Sequence, residues 1–148
     1  MEELANKLNR LLCDLAIFSR KVQNYHWNVS GRDFFVLHAK LEEYYDKVNE
    51  QIDEIGEQIL IMGYQPYGTL KDYLEHGKLV EAENKKISGA DVYSDIIVDM
   101  GRLLKQCIEI KDEADKIEDY ATSSIMDDYI IDFRKKLWML NQSIKGAE

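Results

Sequence analysis

Two of the three histidines of the chain lie close together in sequence, at either end of the stretch YHWNVSGRDFFVLH. Between His26 and His38, the segment NVSGRD can reverse the chain, because Gly31 is free to leave the helical region. Imidazole nitrogens are common ligands of iron and zinc. The pair is therefore either two hydrogen-bonded polar residues of a core or half of a metal site.

Three carboxylates follow His38 on the same predicted helix, namely Glu42, Asp53 and Glu57. At roughly 100° per residue they lie about 40°, 60° and 100° around the helix from His38, on one flank of its apolar face. Exposed acids at such spacing are also typical of an ordinary solvated helix face. The residue types therefore permit a metal site and do not require one.

The distance along this helix limits how such a site could be built. Asp53 follows His38 by fifteen residues, which is about 22 Å of helix rise. Ligand atoms must lie within roughly 2 to 2.6 Å of one ion, so one unbroken helix cannot bring both residues to it. Two copies packed antiparallel about a two-fold axis can. We expect His26 and His38 of one chain to face Asp53 and Glu57 of the other.

The elements that position these residues are predicted from apolar spacings of three and four. We predict long helices over 2–26, 33–62, 90–114 and 123–144, and a short helix over 69–77 after the stretch GYQPYGT. This pattern predicts one all-α domain, 1–148, a four-helix bundle whose long crossover between helices two and three holds a short extra helix.

Composition excludes several classes of protein. Hydrophobic residues make up 45% and charged residues 32% of the chain, which is typical of a globular domain. The net charge of −9 argues against general affinity for nucleic acid and suits a protein that handles cations. No apolar run approaches the ~20 residues of a membrane span, and MEELANKLNR has no export signal layout. We expect a cytoplasmic protein in which Cys13 and Cys107 are buried, reduced thiols.

The combined pattern resembles the Dps family (DNA-binding proteins from starved cells), the small ferritin relatives also called mini-ferritins. The match consists of HW-x10-H, then fifteen residues to an aspartate, then D-x3-E, with further matches at 31–38, 69–75 and 137–140. The resemblance covers nearly the whole chain and implies a ferritin-like four-helix bundle that assembles into a cage of twelve subunits. It implies ferroxidase centres at two-fold interfaces, where His26, His38 and Glu42 of one chain and Asp53 and Glu57 of its neighbour would bind iron, with His26, His38, Asp53 and Glu57 as the catalytic set.

The implied function is the oxidation of Fe(II), preferably by hydrogen peroxide rather than oxygen, with storage of the Fe(III) mineral and protection from oxidative damage. Iron itself rests on the resemblance, because zinc fits the same ligands. An intra-bundle di-iron site would need Glu-x-x-His, and the residues three before each histidine are Gln23, Phe35 and Tyr73. Two alternatives are a DNA-compacting protein and a cage with a non-iron metal and a structural or immune role. MEELANKLNR has two acids and two bases, so we expect no strong DNA binding.

Several other residues have two interpretations. Trp27 would quench radicals beside the centre or pack in the core, two roles that are compatible. We expect Tyr44 and Tyr45 to pack and His76 to lie on the surface. An acidic run between helices three and four is either a solvated loop or, by the resemblance, the lining of three-fold cation pores, with Ser124 where many relatives have aspartate. The run comprises Asp112, Glu113, Asp115, Glu118 and Asp119.

Overall fold

The structure, a computed structural model, describes residues 1–145 and is an all-α bundle. Its elements are α1 (Glu2–Asn28), β1 (Val29–Ser30), α2 (Phe34–Ile61), α3 (Leu70–His76), β2 (Ile87–Ser88), α4 (Gly89–Lys116) and α5 (Tyr120–Ile144). The predicted fold class is confirmed, including the short helix in the crossover between the second and third long helices. Two strands of two residues each, which the sequence analysis did not predict, pair in parallel between Val29 and Ile87 and between Ser30 and Ser88.

Capping explains where two helices begin. The Ser88 side chain accepts a hydrogen bond of 3.1 Å from the backbone N–H of Asp91 and so starts α4. The Asp119 carboxylate accepts one of 3.2 Å from the backbone N–H of Thr122, so α5 begins at Tyr120 rather than at the predicted residue 123. Aspartate and serine favour these positions because they satisfy backbone donors that have no partner within the helix.

The core runs along α1, which packs most extensively on α2 and also contacts α4, while α4 packs on α5. Its fully buried residues follow the predicted spacing, and they include Leu4, Leu8, Leu11, Leu15, Phe18 and Val22. Burying one such side chain contributes about 1.5–3 kcal/mol relative to leaving it exposed. Among the described residues, no helix is both long and apolar enough to cross a membrane.

The crossover is held against α1 by hydrogen bonds of the Asn9 side chain. Asn9 donates to the carbonyl of Gln65 at 3.0 Å and accepts from the backbone N–H of Tyr67 at 2.9 Å. A Cβ on Gly77 would lie only 2.7 Å from the backbone carbonyl oxygen of Tyr73, which cannot move aside easily, and 2.6 Å from the end of the Ile17 side chain, so this position favours glycine.

Candidate metal centre

The end of α1 and the start of α2 bring His26 and His38 into direct contact. Between them Gly31 has a φ of +111°, a backbone conformation that glycine adopts readily. The two imidazole rings stack at 3.8 Å between centroids, with 10° between their planes. The prediction that the turn brings the two histidines together is therefore confirmed.

A reciprocal pair of hydrogen bonds defines the tautomer of both rings. Nδ1 of His26 donates to the backbone carbonyl of His38 at 2.6 Å, and Nδ1 of His38 donates to the carbonyl of His26 at 2.8 Å. A carbonyl oxygen can only accept, so each Nδ1 must carry the proton. In the neutral form of each ring, Nε2 then keeps its lone pair, which is what imidazole uses to bind a metal ion.

Aromatic neighbours hold the rings in place. The Phe34 ring stacks on His38 at 4.9 Å, and the Tyr45 ring meets His26 edge-on at 5.5 Å. His26 is 6% exposed and His38 is half-buried. The ring orientations are therefore set before any metal ion binds.

Glu42 is the third predicted ligand that lies at this place in the same chain. One of its carboxylate oxygens is 3.8 Å from Nε2 of His26, and its side chain is 57% exposed. The Tyr45 hydroxyl donates to the same oxygen at 3.5 Å. One chain thus presents two imidazole nitrogens and one carboxylate on a single side of the turn.

Asp53 and Glu57 lie elsewhere. Both are exposed on α2, which runs without a break from Phe34 to Ile61. Neither side chain forms a hydrogen bond or an ion pair with any other residue in 1–145. The structure of one chain therefore does not bring them to the histidines, and their role as ligands from a neighbouring chain stays a prediction.

A second group of metal-binding residue types was missed by the sequence analysis. Asp72, Glu75 and His76 have ligand atoms within 4.8 Å of one another, the only such group of three in the described part of the chain. His76 lies at the surface as predicted, on a helix without buried residues, and its half-buried ring stacks on Tyr67 at 4.2 Å. The spacing D-x2-E-H, which places all three on one side of a helix, is the signal that could have revealed the group.

The predicted roles of three aromatic residues have different outcomes. Trp27, beside the histidines, is 63% exposed, so within one chain it is not a core aromatic. Tyr44 and Tyr45 pack as predicted, since Tyr44 belongs to the buried core and Tyr45 is partly buried against it. Burial raises the pKa of Tyr44 to about 12, so its hydroxyl stays protonated near neutral pH.

The two thiols are buried and unpaired, as predicted. Burial raises the pKa of Cys13 and of Cys107 to about 12. Because the thiolate is the form that reacts and binds metals, neither residue is a candidate ligand.

The acidic run covers the end of α4 and its link to α5, and it is partly neutralised within the chain. Glu113 pairs with Lys7 at 3.7 Å, and Asp115 accepts a hydrogen bond from Ser123 and lies 3.8 Å from Lys111. Asp112 and Glu118 are exposed, and so is Ser124 on α5. A role in lining a pore would require neighbouring chains and stays a prediction.

Comparison with known proteins agrees with this architecture. Residues 5–147 match the family model described as a ferritin-like domain. A DNA protection during starvation protein of Brevibacillus brevis is 35% identical over 133 residues, covering 90% of this chain and 89% of that protein. An uncharacterised protein of Haemophilus influenzae is 39% identical over 138 residues, covering 93% and 85%.

Solved structures give the same result. The crystal structure of a Dps protein from Vibrio cholerae O1, described as a member of a broad superfamily of ferritin-like diiron-carboxylate proteins, matches with a TM-score of 0.94 at 36% identity and covers 97% of this chain and 90% of that one. A Dps protein from Bacillus brevis matches with a TM-score of 0.94 at 33% identity, covering 97% and 96%.

Proposed function

The chain belongs to the Dps family of the ferritin-like superfamily, and from this premise we propose that it oxidises Fe(II) at centres shared between two subunits and stores the ferric product. Membership supports a diiron-carboxylate type of chemistry. The observation that carries the proposal is the His26–His38 pair, in which two hydrogen bonds leave both Nε2 atoms available beside Glu42.

In the proposed centre, each group has a distinct role. His26, His38 and Glu42 of one subunit hold Fe(II) from one side, and Asp53 and Glu57 of a neighbouring subunit hold it from the other. The exposure of both acids on one chain, without partners among the described residues, supports this assignment. Imidazole nitrogen suits Fe(II), whereas carboxylate oxygens stabilise the harder Fe(III) ion and so favour oxidation.

We propose hydrogen peroxide as the preferred oxidant. Two Fe(II) ions each give one electron to one peroxide molecule, its O–O bond breaks, and two protons are taken up to form two water molecules. The products are two Fe(III) ions and no hydroxyl radical. This consumption of Fe(II) and peroxide together would protect the cell from oxidative damage.

The assembly we propose is a cage of twelve chains in the cytoplasm, with Fe(III) mineral stored inside. Several relatives are called DNA protection during starvation proteins. We propose that any protection by this chain is chemical, because its net charge of −9 opposes strong direct binding to DNA.

The test compares Fe(II) oxidation in the wild type with Asp53→Asn and Glu57→Gln. Fe(II) is added without oxygen, then peroxide or oxygen is mixed in, and the ferric absorbance is followed by stopped flow. We expect each variant to be slower by about tenfold or more, since losing even an outer partner of a metal ligand typically costs about 10- to 100-fold.

The matched control is Glu81→Gln, which changes an exposed glutamate of the crossover that forms no ion pair among the described residues. It should leave the rate unchanged. Equal rates in the wild type and both α2 variants would contradict the proposed centre. Faster oxidation with oxygen than with peroxide would contradict only the choice of oxidant.

A further inference from the structure

A groove of about 460 Å³ lies between α1 and α4, against the segment that follows α3. Five of the nineteen lysine and arginine residues of the chain line it, together with only two carboxylates. This concentration of positive charge contrasts with the net charge of −9 for the whole chain. The basic residues of this groove, called the basic groove below, are Lys7, Arg10, Lys78, Arg102 and Lys105.

Both long helices present their basic residues at helical spacing. Lys7 and Arg10 lie three residues apart on α1, and Arg102 and Lys105 lie three apart on α4. Residues at this spacing share one side of a helix. The groove is therefore formed by two basic stripes that line it from different helices, with Lys78 added by the crossover.

The buried carboxylate of Asp14 holds the walls of the groove together. Asp14 is 1% exposed. One of its oxygens accepts hydrogen bonds from the backbone N–H groups of Lys78 at 2.6 Å and Leu79 at 2.9 Å, and the other accepts from the Gln106 amide at 2.7 Å. The charge of Asp14 is thus satisfied by three fixed donors from the crossover and α4.

Four of the five cations of the basic groove lack such partners. Among residues 1–145, Arg10, Lys78, Arg102 and Lys105 form no ion pair, whereas Lys7 pairs with Glu3 at 3.8 Å and with Glu113 at 3.7 Å. Like charges that converge on one cavity repel one another, and a bound anion would relieve that repulsion. A bound anion would therefore lower the electrostatic energy of the groove.

We propose that the basic groove binds a small anion that carries two or more phosphate groups. Guanidinium groups bind phosphate through two parallel hydrogen bonds, and Arg10 and Arg102 supply one from each helix. The volume of about 460 Å³ suits a small molecule. Duplex DNA instead carries one negative charge for each ~1.7 Å along a long axis. An extended basic surface therefore matches DNA better than five cations that surround one groove.

This binding is separate from iron oxidation. Asp14 lies twelve residues before His26 on the same helix, a distance of about 18 Å along its axis. The anion would therefore bind well away from the proposed metal centre, and changes in the groove should leave the oxidation rate unaltered.

The test uses inorganic tripolyphosphate as the probe and isothermal calorimetry on the assembled full-length protein. The variants are Arg10→Gln and Lys105→Gln, one on each helix, and the matched control is Arg134→Gln, an exposed arginine of α5. We expect saturable binding by the wild type and the control, and a dissociation constant raised about tenfold or more in both groove variants, since each loses a charge-assisted contact. Unchanged iron oxidation in these variants would show that they are intact.

Three results would overturn the proposal. One is the absence of saturable binding at millimolar probe in low salt. Another is an equal loss of tripolyphosphate affinity in Arg134→Gln, which would mean that the probe is attracted by the positive charges of the protein in general. The third is binding of duplex DNA that depends on the groove while tripolyphosphate does not bind, which would assign the groove to nucleic acid.

Discussion

At the scale of single residues, the hydrogen bonds between His26 and His38 couple each ring to the backbone of the other. The sequence predicted that the two rings meet, because glycine and short polar residues between two apolar periods indicate a turn. It could not predict the tautomer, which depends on where two backbone carbonyl oxygens lie. The availability of both Nε2 atoms is therefore a property of the folded turn.

Asp14 supports a residue-scale prediction about stability. Asp14→Ala removes the acceptor for three donors, those of Lys78, Leu79 and Gln106. We expect a loss of about 3 kcal/mol in the free energy of unfolding, because a hydrogen bond to a charged group is worth about 1.5–3 kcal/mol and only the bond from Leu79 is fully buried, so that water can replace Asp14 at the other two donors. The measurement is thermal unfolding at one fixed protein concentration.

The control for this prediction is Asp128→Ala, which removes an exposed carboxylate of α5 that has no hydrogen-bond partner among the described residues. It should unfold close to the wild-type temperature. If Asp14→Ala also did so, the hydrogen bonds of Asp14 would not be holding the crossover to the bundle.

At the scale of helices, a buried ionic cluster joins α1 to α4. The Lys21 ammonium lies 2.7 Å from Asp99 and 2.9 Å from Asp95, and the Tyr25 hydroxyl donates to Asp95. Lys21 and Asp99 are both nearly inaccessible to solvent. Burial raises the pKa of Asp99, and the hydrogen bond and charge of Lys21 oppose that rise. Helical periodicity alone gave no sign that these residues pair, since they lie 78 positions apart.

We expect Lys21→Met to destabilise the fold in a way that depends on pH. Without Lys21, the pKa of Asp99 rises further above its value in the unfolded chain, because burial is then opposed less. A carboxyl group with a raised pKa in the folded state adds stability below its unfolded pKa, and that contribution is lost as pH rises through the folded pKa. Near pH 8 the loss should approach about 3–5 kcal/mol, the usual cost of leaving one buried charge unpaired.

Thermal unfolding between about pH 4 and pH 8 measures this effect. The control is the double variant Lys21→Met with Asp99→Leu, which replaces both charges and should recover much of the stability at the upper pH. A loss in Lys21→Met that is the same at every pH would mean that an unpaired Asp99 is not its cause.

At the scale of the whole molecule, the geometry of α2 sets the proposed assembly. His38 and Asp53 lie about 22 Å apart along one unbroken helix, by its rise per residue. The centre we propose can therefore form only between chains. We expect light scattering to give a mass near twelve times that of the 17.3 kDa chain.

Mixed assembly gives a stringent test of sharing between subunits. One variant carries His26→Ala with His38→Ala, and the other carries Asp53→Asn with Glu57→Gln. Each alone should be inactive. When the two variants are refolded together in equal amounts, half of the two-fold interfaces pair unlike chains. Each such interface has two centres, of which one has all its ligands intact. The mixture should therefore recover about a quarter of the wild-type rate. No recovery in correctly sized mixed cages would contradict a shared centre.

The sequence by itself determined the fold class, the approximate helices and the pairing of the two histidines in space. These depend on apolar periodicity and turn residues, which are encoded within a few neighbouring positions. Only the tertiary structure decided the tautomer of the histidines and the basic groove. Each depends on atoms placed by packing or by local side-chain geometry: the bond between Asp14 and Gln106, for example, spans 92 positions. Because no local pattern records which surfaces of two helices will face each other, that information exists only once the chain has folded.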